Sequence, residues 1–204
     1  MGINLALVLG HSLGAAELLA LREHASASPS MRRSAGQLWQ VMRPRWANLH
    51  GLEEFAMFVA GGRLSEDEIQ AAWARGDTPS YQWAGFHLYF GRRAIQATHM
   101  EKLAGFVLDL DQLRDPLQAC AKVLACELRS PFIVYGPDSS SPFEEALEVG
   151  AGSSLPELLS IARRKCGDPA PSIREMADAE EDLRLDRNCY HVENIDLGET
   201  RCRE

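Results

Sequence analysis

No apolar run in this chain approaches the roughly 20 residues that a membrane-spanning helix requires. The first residues also lack the basic stretch of a secretory leader, so neither a span nor an export signal is expected. Paired cysteine motifs are missing as well. Cys120, Cys126, Cys166, Cys189 and Cys202 are odd in number and include no Cys-x-x-Cys, which argues against a disulfide framework and a zinc ribbon. Reduced thiols in a cytoplasmic protein fit that usage. His50, His87, His99 and His191 are isolated and no histidine pair has helical ligand spacing, so no metal is expected. Gly10 and Gly14 lack the third glycine and the lysine of a phosphate-binding loop, and no cofactor is expected either. No internal repeat or low-complexity array is visible.

What is present is an average globular composition. The 204 residues are 46% apolar and 25% charged, enough for one substantial core and too short for two full domains. The net charge of −8 is unevenly spread. Residues 1–50 hold five arginines against two glutamates, whereas residues 168–204 hold eleven acids against five arginines. That acidic end repels nucleic acid and membranes and attracts a basic protein partner. Arg32, Arg33, Arg43 and Arg45 lie near Trp39 and Trp46, a mixture that could stack on bases, but the overall charge opposes nucleic acid and these residues read better as a partner surface. Oligomeric state is not encoded in any of these features.

Periodicity gives an α/β (α+β) single domain: a mixed sheet with a central antiparallel hairpin, covered by helices. Ile3–Leu9 reads as a buried strand, after which Ser12 or Gly14 opens a helix through about His24. Residues 25–30 read as a loop, 37–43 as a short helix broken at Pro44, and 55–60 as a strand. Gly85–Phe90 and Ala94–His99 flank Gly91-Arg92-Arg93 as a hairpin, with Phe106–Leu110 a further apolar stretch beside it. Pro131–Tyr135 is a second buried strand and Cys189–Ile195 a last candidate. Helix starts are marked by Ser65 with Glu68, Asp115-Pro116 with Gln118, Ser141 with Glu144, Ser154 with Glu157, and Ser172 with Glu175. The core is expected over residues 1–170, with 171–204 an acidic helix and strand packed on it.

Gly10-His11-Ser12-Leu13-Gly14, followed by Ala15 and Ala16, resembles the nucleophile elbow of α/β-hydrolases and acyltransferases. Pro131 to Asp138 resembles the late strand and loop that present the triad acid, and His191 completes the order Ser, Asp, His. The resemblance implies a serine esterase or acyltransferase in which Ser12 attacks, His191 takes its proton and Asp138 orients the imidazole. Three departures weigh against it. No upstream strand and loop supply an oxyanion-hole donor, His191 sits in an alternating strand-like run, and two predicted helices separate it from Asp138. The glycines suit a tight strand-to-helix turn, and Ser12 suits a cap.

The loop from Gly136 to Ser141 ends a buried strand, where α/β sheets place ligands, and also reads as a plain connection into a capped helix. The order of a hairpin near Phe90-Gly91, a helix, an Ile-Val-Tyr strand, Pro-Asp-Ser, Leu-x-x-Leu-Leu and Cys-Gly-Asp-Pro, over roughly residues 86–175, resembles small bacterial immunity proteins. That resemblance implies binding without catalysis. The expectation is a non-catalytic, acidic partner-binding protein that neutralises a toxin, with Glu175, Asp178, Glu180, Glu181, Asp182 and Asp186 steering a basic partner and Trp39 and Trp46 anchoring it.

Overall fold

The N-terminal apolar run becomes β1 (Asn4–Gly10), whose Leu5, Ala6, Leu7, Val8 and Leu9 are all inaccessible to solvent. A strand covered on both faces needs apolar side chains at every position, which is why its sequence runs continuously instead of alternating. The structure, a computed structural model, describes residues 4–50, 64–102, 110–138, 152–181 and 189–197. Within them lie six strands and six helices.

β1 occupies the interior of the sheet, flanked by β4 (Ala94–Lys102) and β5 (Phe132–Pro137); β2 (Ser80–Trp83), β3 (Phe86–Phe90) and β6 (His191–Asn194) complete the order β2-β3-β4-β1-β5-β6. Every neighbouring pair is antiparallel, and the parallel contact among the described residues is a single bridge between Ala170 and His191. The expected α/β domain with its hairpin at β3 and β4 is therefore built on an antiparallel sheet.

Side-chain parity sorts the core into two layers. Leu5, Leu7 and Leu9 join Leu88, Ile95, Ile133 and Tyr135 beneath α1 (Ala15–Ala27), α2 (Pro29–His50), α4 (Leu110–Leu128) and α6 (Ile173–Glu181). Ala6 and Val8 face the other way and meet Leu155, Leu158, Ala162 and Cys166, one stripe of α5 (Leu155–Cys166). α3 (Glu66–Arg75) buries Ile69 and Ala72 at the margin of the larger layer.

The serine-and-glutamate starts form as expected. Glu68 N–H donates to Ser65 Oγ at 3.3 Å while Ser65 N–H donates to Glu68 Oε2 at 2.7 Å. Ser154 N–H and its hydroxyl both reach Glu157, and Glu175 N–H donates to Ser172 Oγ at 3.1 Å. Two expected breaks are absent. α2 runs through Pro44, and only Ser28 separates it from α1: Ser28 accepts Met31 N–H at 3.3 Å, Pro29 takes the first helical position, and Arg32 donates to the carbonyls of Ser26 and Ala27. α4 begins at Leu110, so Pro116 is interior to it; Leu113, fully buried one turn earlier, anchors the added turn. The strand expected over 55–60, most of Phe106–Leu110 and the Ser141 start lie outside the described residues.

β2, which the sequence did not suggest, joins β3 through the two-residue turn Ala84-Gly85, both at positive φ (52° and 83°). Such a turn favours Asn-Gly, and alanine in the left-handed region is strained. Replacing Ala84 by Asn is expected to raise the urea midpoint, by about 0.5–1 kcal/mol of stability.

Candidate functional site

The Gly10–Gly14 turn is held from all sides. Gly10 N–H donates to Ser130 Oγ at 2.9 Å, and a Cβ on Gly10 would lie 3.1 Å from Leu155 Cβ, so this glycine lets α5 approach the end of β1. His11 N–H donates to Arg93 O at 3.0 Å, tying the turn to the β3–β4 hairpin. The His11 ring lies between two backbone groups: Nε2–H donates to Gly91 O at 3.0 Å and Nδ1 accepts Leu13 N–H at 3.2 Å. That pair of bonds requires the neutral ring, and burial lowers its pKa in the same sense. His11 is thus the organiser of the turn, a role that no motif around it marks.

Ser12 itself is exposed, and the helix is capped two residues later, at Gly14, whose N–H donates to Glu17 Oε2 at 2.8 Å. The expected Ser12 cap is replaced because the chain needs two more residues to leave the strand past His11. Gly14 has φ −78° and only Glu17 Oε2 near its Cβ direction, so nothing there demands glycine. Gly10→Ala is therefore expected to cost about 1–3 kcal/mol by crowding Leu155. Ser12→Ala should stay within about 0.5 kcal/mol, and Gly14→Ser should gain a few tenths; chemical denaturation of the three variants checks that order.

The three residues of the hydrolase resemblance are not brought together. Asp138 clasps the far end of β1: Asn4 N–H and Nδ2 donate to its two carboxylate oxygens at 2.7 and 2.6 Å. The seven-residue strand between Asn4 and Gly10 spans about 20 Å at roughly 3.3 Å per residue, which separates Asp138 from Ser12. His191 is opposite Tyr135, which is opposite Leu7. It therefore stands two strands over from β1, about 10 Å across and about 16 Å along the sheet from Ser12. Its Nδ1–H donates to Ala170 O at 2.8 Å and its ring stacks on Tyr135. Beside it, Glu193 accepts from Tyr135 OH (2.7 Å) and Gln118 Nε2 (3.1 Å) and pairs with Lys122 at 2.8 Å. Burial alone would raise the Glu193 pKa, but these partners outweigh it and hold the carboxyl below its usual value.

A different serine meets a histidine. On the α5 side of the sheet, beyond the strip that α5 covers, β2, β3 and β4 present Ser80, Gln82, His87, Tyr89, Gln96 and Thr98, all half-buried. Ser80 Oγ lies 3.0 Å from His87 Nε2, and His87 Nδ1 lies 3.2 Å from Tyr89 OH. Tyr89 also stacks on the imidazole at 4.3 Å between centroids. With the ring proton on Nδ1, Tyr89 accepts it and Nε2 is left to accept the Ser80 hydroxyl proton, the arrangement a general base needs. Burial lowers the His87 pKa, and burial with the nearby Asp138 carboxylate raises that of Tyr89. The signal in the sequence is the alternation of Ser80-Tyr81-Gln82-Trp83 against Phe86-His87-Leu88-Tyr89, which becomes legible once the two-residue turn fixes the register.

On the acidic helix, Glu175 and Asp178 are exposed, while Ile173, Met176 and Ala177 are buried. The side chains of Glu180 and Glu181, and all of Asp182 and Asp186, lie outside the described residues. Trp39 is half-buried against the larger core, and the Trp46 side chain is outside the description. Among the described residues no three His, Cys, Asp or Glu side chains converge as a metal-ligand set, and no helix is long and apolar enough to cross a membrane. Comparison with family models, with curated proteins and with solved structures finds no match for this chain.

Proposed function

We propose that this chain is a non-catalytic binding protein whose acidic C-terminal helix engages a basic protein partner, as an immunity or toxin-neutralising protein would. The observation that carries the reading is the way α6 is mounted: Ile173, Met176 and Ala177 fix its inner face, so Glu175 and Asp178 are held outward on a rigid support. The surplus of acids over residues 168–204 adds to the field that such a helix projects. Charges of this kind raise association rate and selectivity more than affinity. The test is stopped-flow association with a cationic protein that co-purifies with the chain. Changing Glu175 and Asp178 to Ala should slow association about tenfold at low salt, and added salt should remove the difference. A partner that binds the variant at the parental rate, indifferent to salt, overturns the reading.

The 3.0 Å contact between Ser80 and His87 favours a second reading, a serine esterase or acyltransferase centred on Ser80 instead of Ser12. Gln82, across from His87 in the register and on the same face, offers a side-chain amide to a developing oxyanion. Under this reading a fluorophosphonate probe labels the parent and Ser12→Ala but not Ser80→Ala. Absence of labelling in the parent removes it.

A further inference from the structure

Two of the cysteines meet across 23 positions of sequence. Cys166 is the last residue of α5, Cys189 stands just before β6, and both belong to the smaller core with Val134, Ala162 and Tyr190. The Cys189 thiol hydrogen-bonds the Cys166 sulfur. We propose that Cys166 and Cys189 are a redox-modification site, closing reversibly to a disulfide that fastens the lead-in of β6 to the end of α5.

The chemistry balances with a peroxide as oxidant. The Cys166 thiolate attacks one peroxide oxygen, the O–O bond breaks, and hydroxide leaves to give a sulfenic acid. The Cys189 sulfur then displaces that hydroxyl, the S–S bond forms, and water departs with the thiol proton. Two electrons pass from the two sulfurs to one peroxide, and a dithiol returns them. Cys166 suits the attacking role because the hydrogen bond from Cys189, assisted by Lys165, outweighs burial and favours its thiolate. Cys120 is the contrast: burial pushes its thiol up to about 12, which leaves it inert.

Both sulfurs are shielded, at 0% and 2% residue exposure, so the reagent reaches them when the chain at β6 opens. β6 is the four-residue terminal strand of the sheet, and short edge elements open at the low end of the stability range. Tyr190 OH donates to Gly167 O at 2.9 Å, bridging the same two segments that the disulfide would join. The loop so closed contains the whole of α6, so oxidation would pin the acidic helix at both ends while leaving its outer face unchanged.

The test uses the full chain and hydrogen peroxide. After treatment, unfolding in iodoacetamide and digestion, mass spectrometry should find the Cys166 and Cys189 peptides joined, with the loss of two hydrogens, and Cys120 and Cys126 alkylated. Dithiothreitol should separate them, and the joined form should show a higher thermal midpoint than the reduced form. In Cys189→Ala, dimedone should trap a sulfenic acid on Cys166. Equal alkylation of all cysteines before and after peroxide overturns the proposal, as does a cross-link that recruits Cys202 or one that lowers the thermal midpoint. The mapping of the parent chain needs no variant, so misfolding of Cys189→Ala does not blur the result.

Discussion

Acidification from pH 6.5 to 4.5 is expected to remove about 2 kcal/mol of stability through His99 alone, the slope approaching about 1.4 kcal/mol per pH unit once the unfolded ring is protonated. His99 is wholly buried on β4, edge-on to Phe86 at 4.8 Å between ring centroids, and burial lowers its pKa from 6.5 to about 3. The sign follows from proton uptake. Below pH 6.5 the unfolded chain binds a proton at this ring, while the folded chain refuses it until about pH 3. Stability is therefore complete above 6.5 and drains steadily over that window. His11 and His87, also lowered by burial, add to the loss in the same direction. Urea denaturation at the two pH values, in the parent and in His99→Phe, measures the share due to His99. The variant should lose far less between the two conditions, whatever its stability at neutral pH. Equal losses in both chains would mean that His99 is protonated in the fold.

Ser130→Ala is expected to destabilise the chain by about 1–3 kcal/mol, several times the effect of Ser12→Ala, although both delete one hydroxyl. Ser130 is completely buried at the entry to β5. Its Oγ accepts Gly10 N–H at 2.9 Å and donates to Phe132 O at 2.7 Å, so one atom fastens the exit of β1 to the start of its neighbour. Alanine leaves the half-buried Gly10 N–H and the Phe132 carbonyl without that partner, and their desolvation cost is then less well compensated. Calorimetric midpoints of Ser130→Ala and Ser130→Thr separate loss of the bond from loss of shape: threonine keeps the hydroxyl and should recover part of the deficit.

What could be read from the residues was local. Continuous apolar runs gave β1 and β5, alternation gave the β3–β4 hairpin, and serine-glutamate spacing gave the starts of α3, α5 and α6. What escaped was decided by tertiary partners. Pro44 signals a break and Pro116 a start, yet both lie inside helices, with Met42 buried just before the first and Leu113 and Leu117 buried on either side of the second. Strands alternating with helices suggested a partly parallel sheet, but β1 runs antiparallel to both of its neighbours. The site shows the same division. Ser12, Asp138 and His191 follow the chain order of a triad and fall at three separate places on the sheet. Ser80, His87 and Tyr89 follow no motif and touch, because a two-residue turn sets their register.

The placement of β1 bears on how the chain is made. Its partners, β4 and β5, begin about 90 and 130 positions later, so a ribosome must emit roughly 130 further residues before this greasy strand can be enclosed. Pairings that distant favour slow acquisition of structure and a long interval in which the segment from Leu5 to Leu9 is available to chaperones.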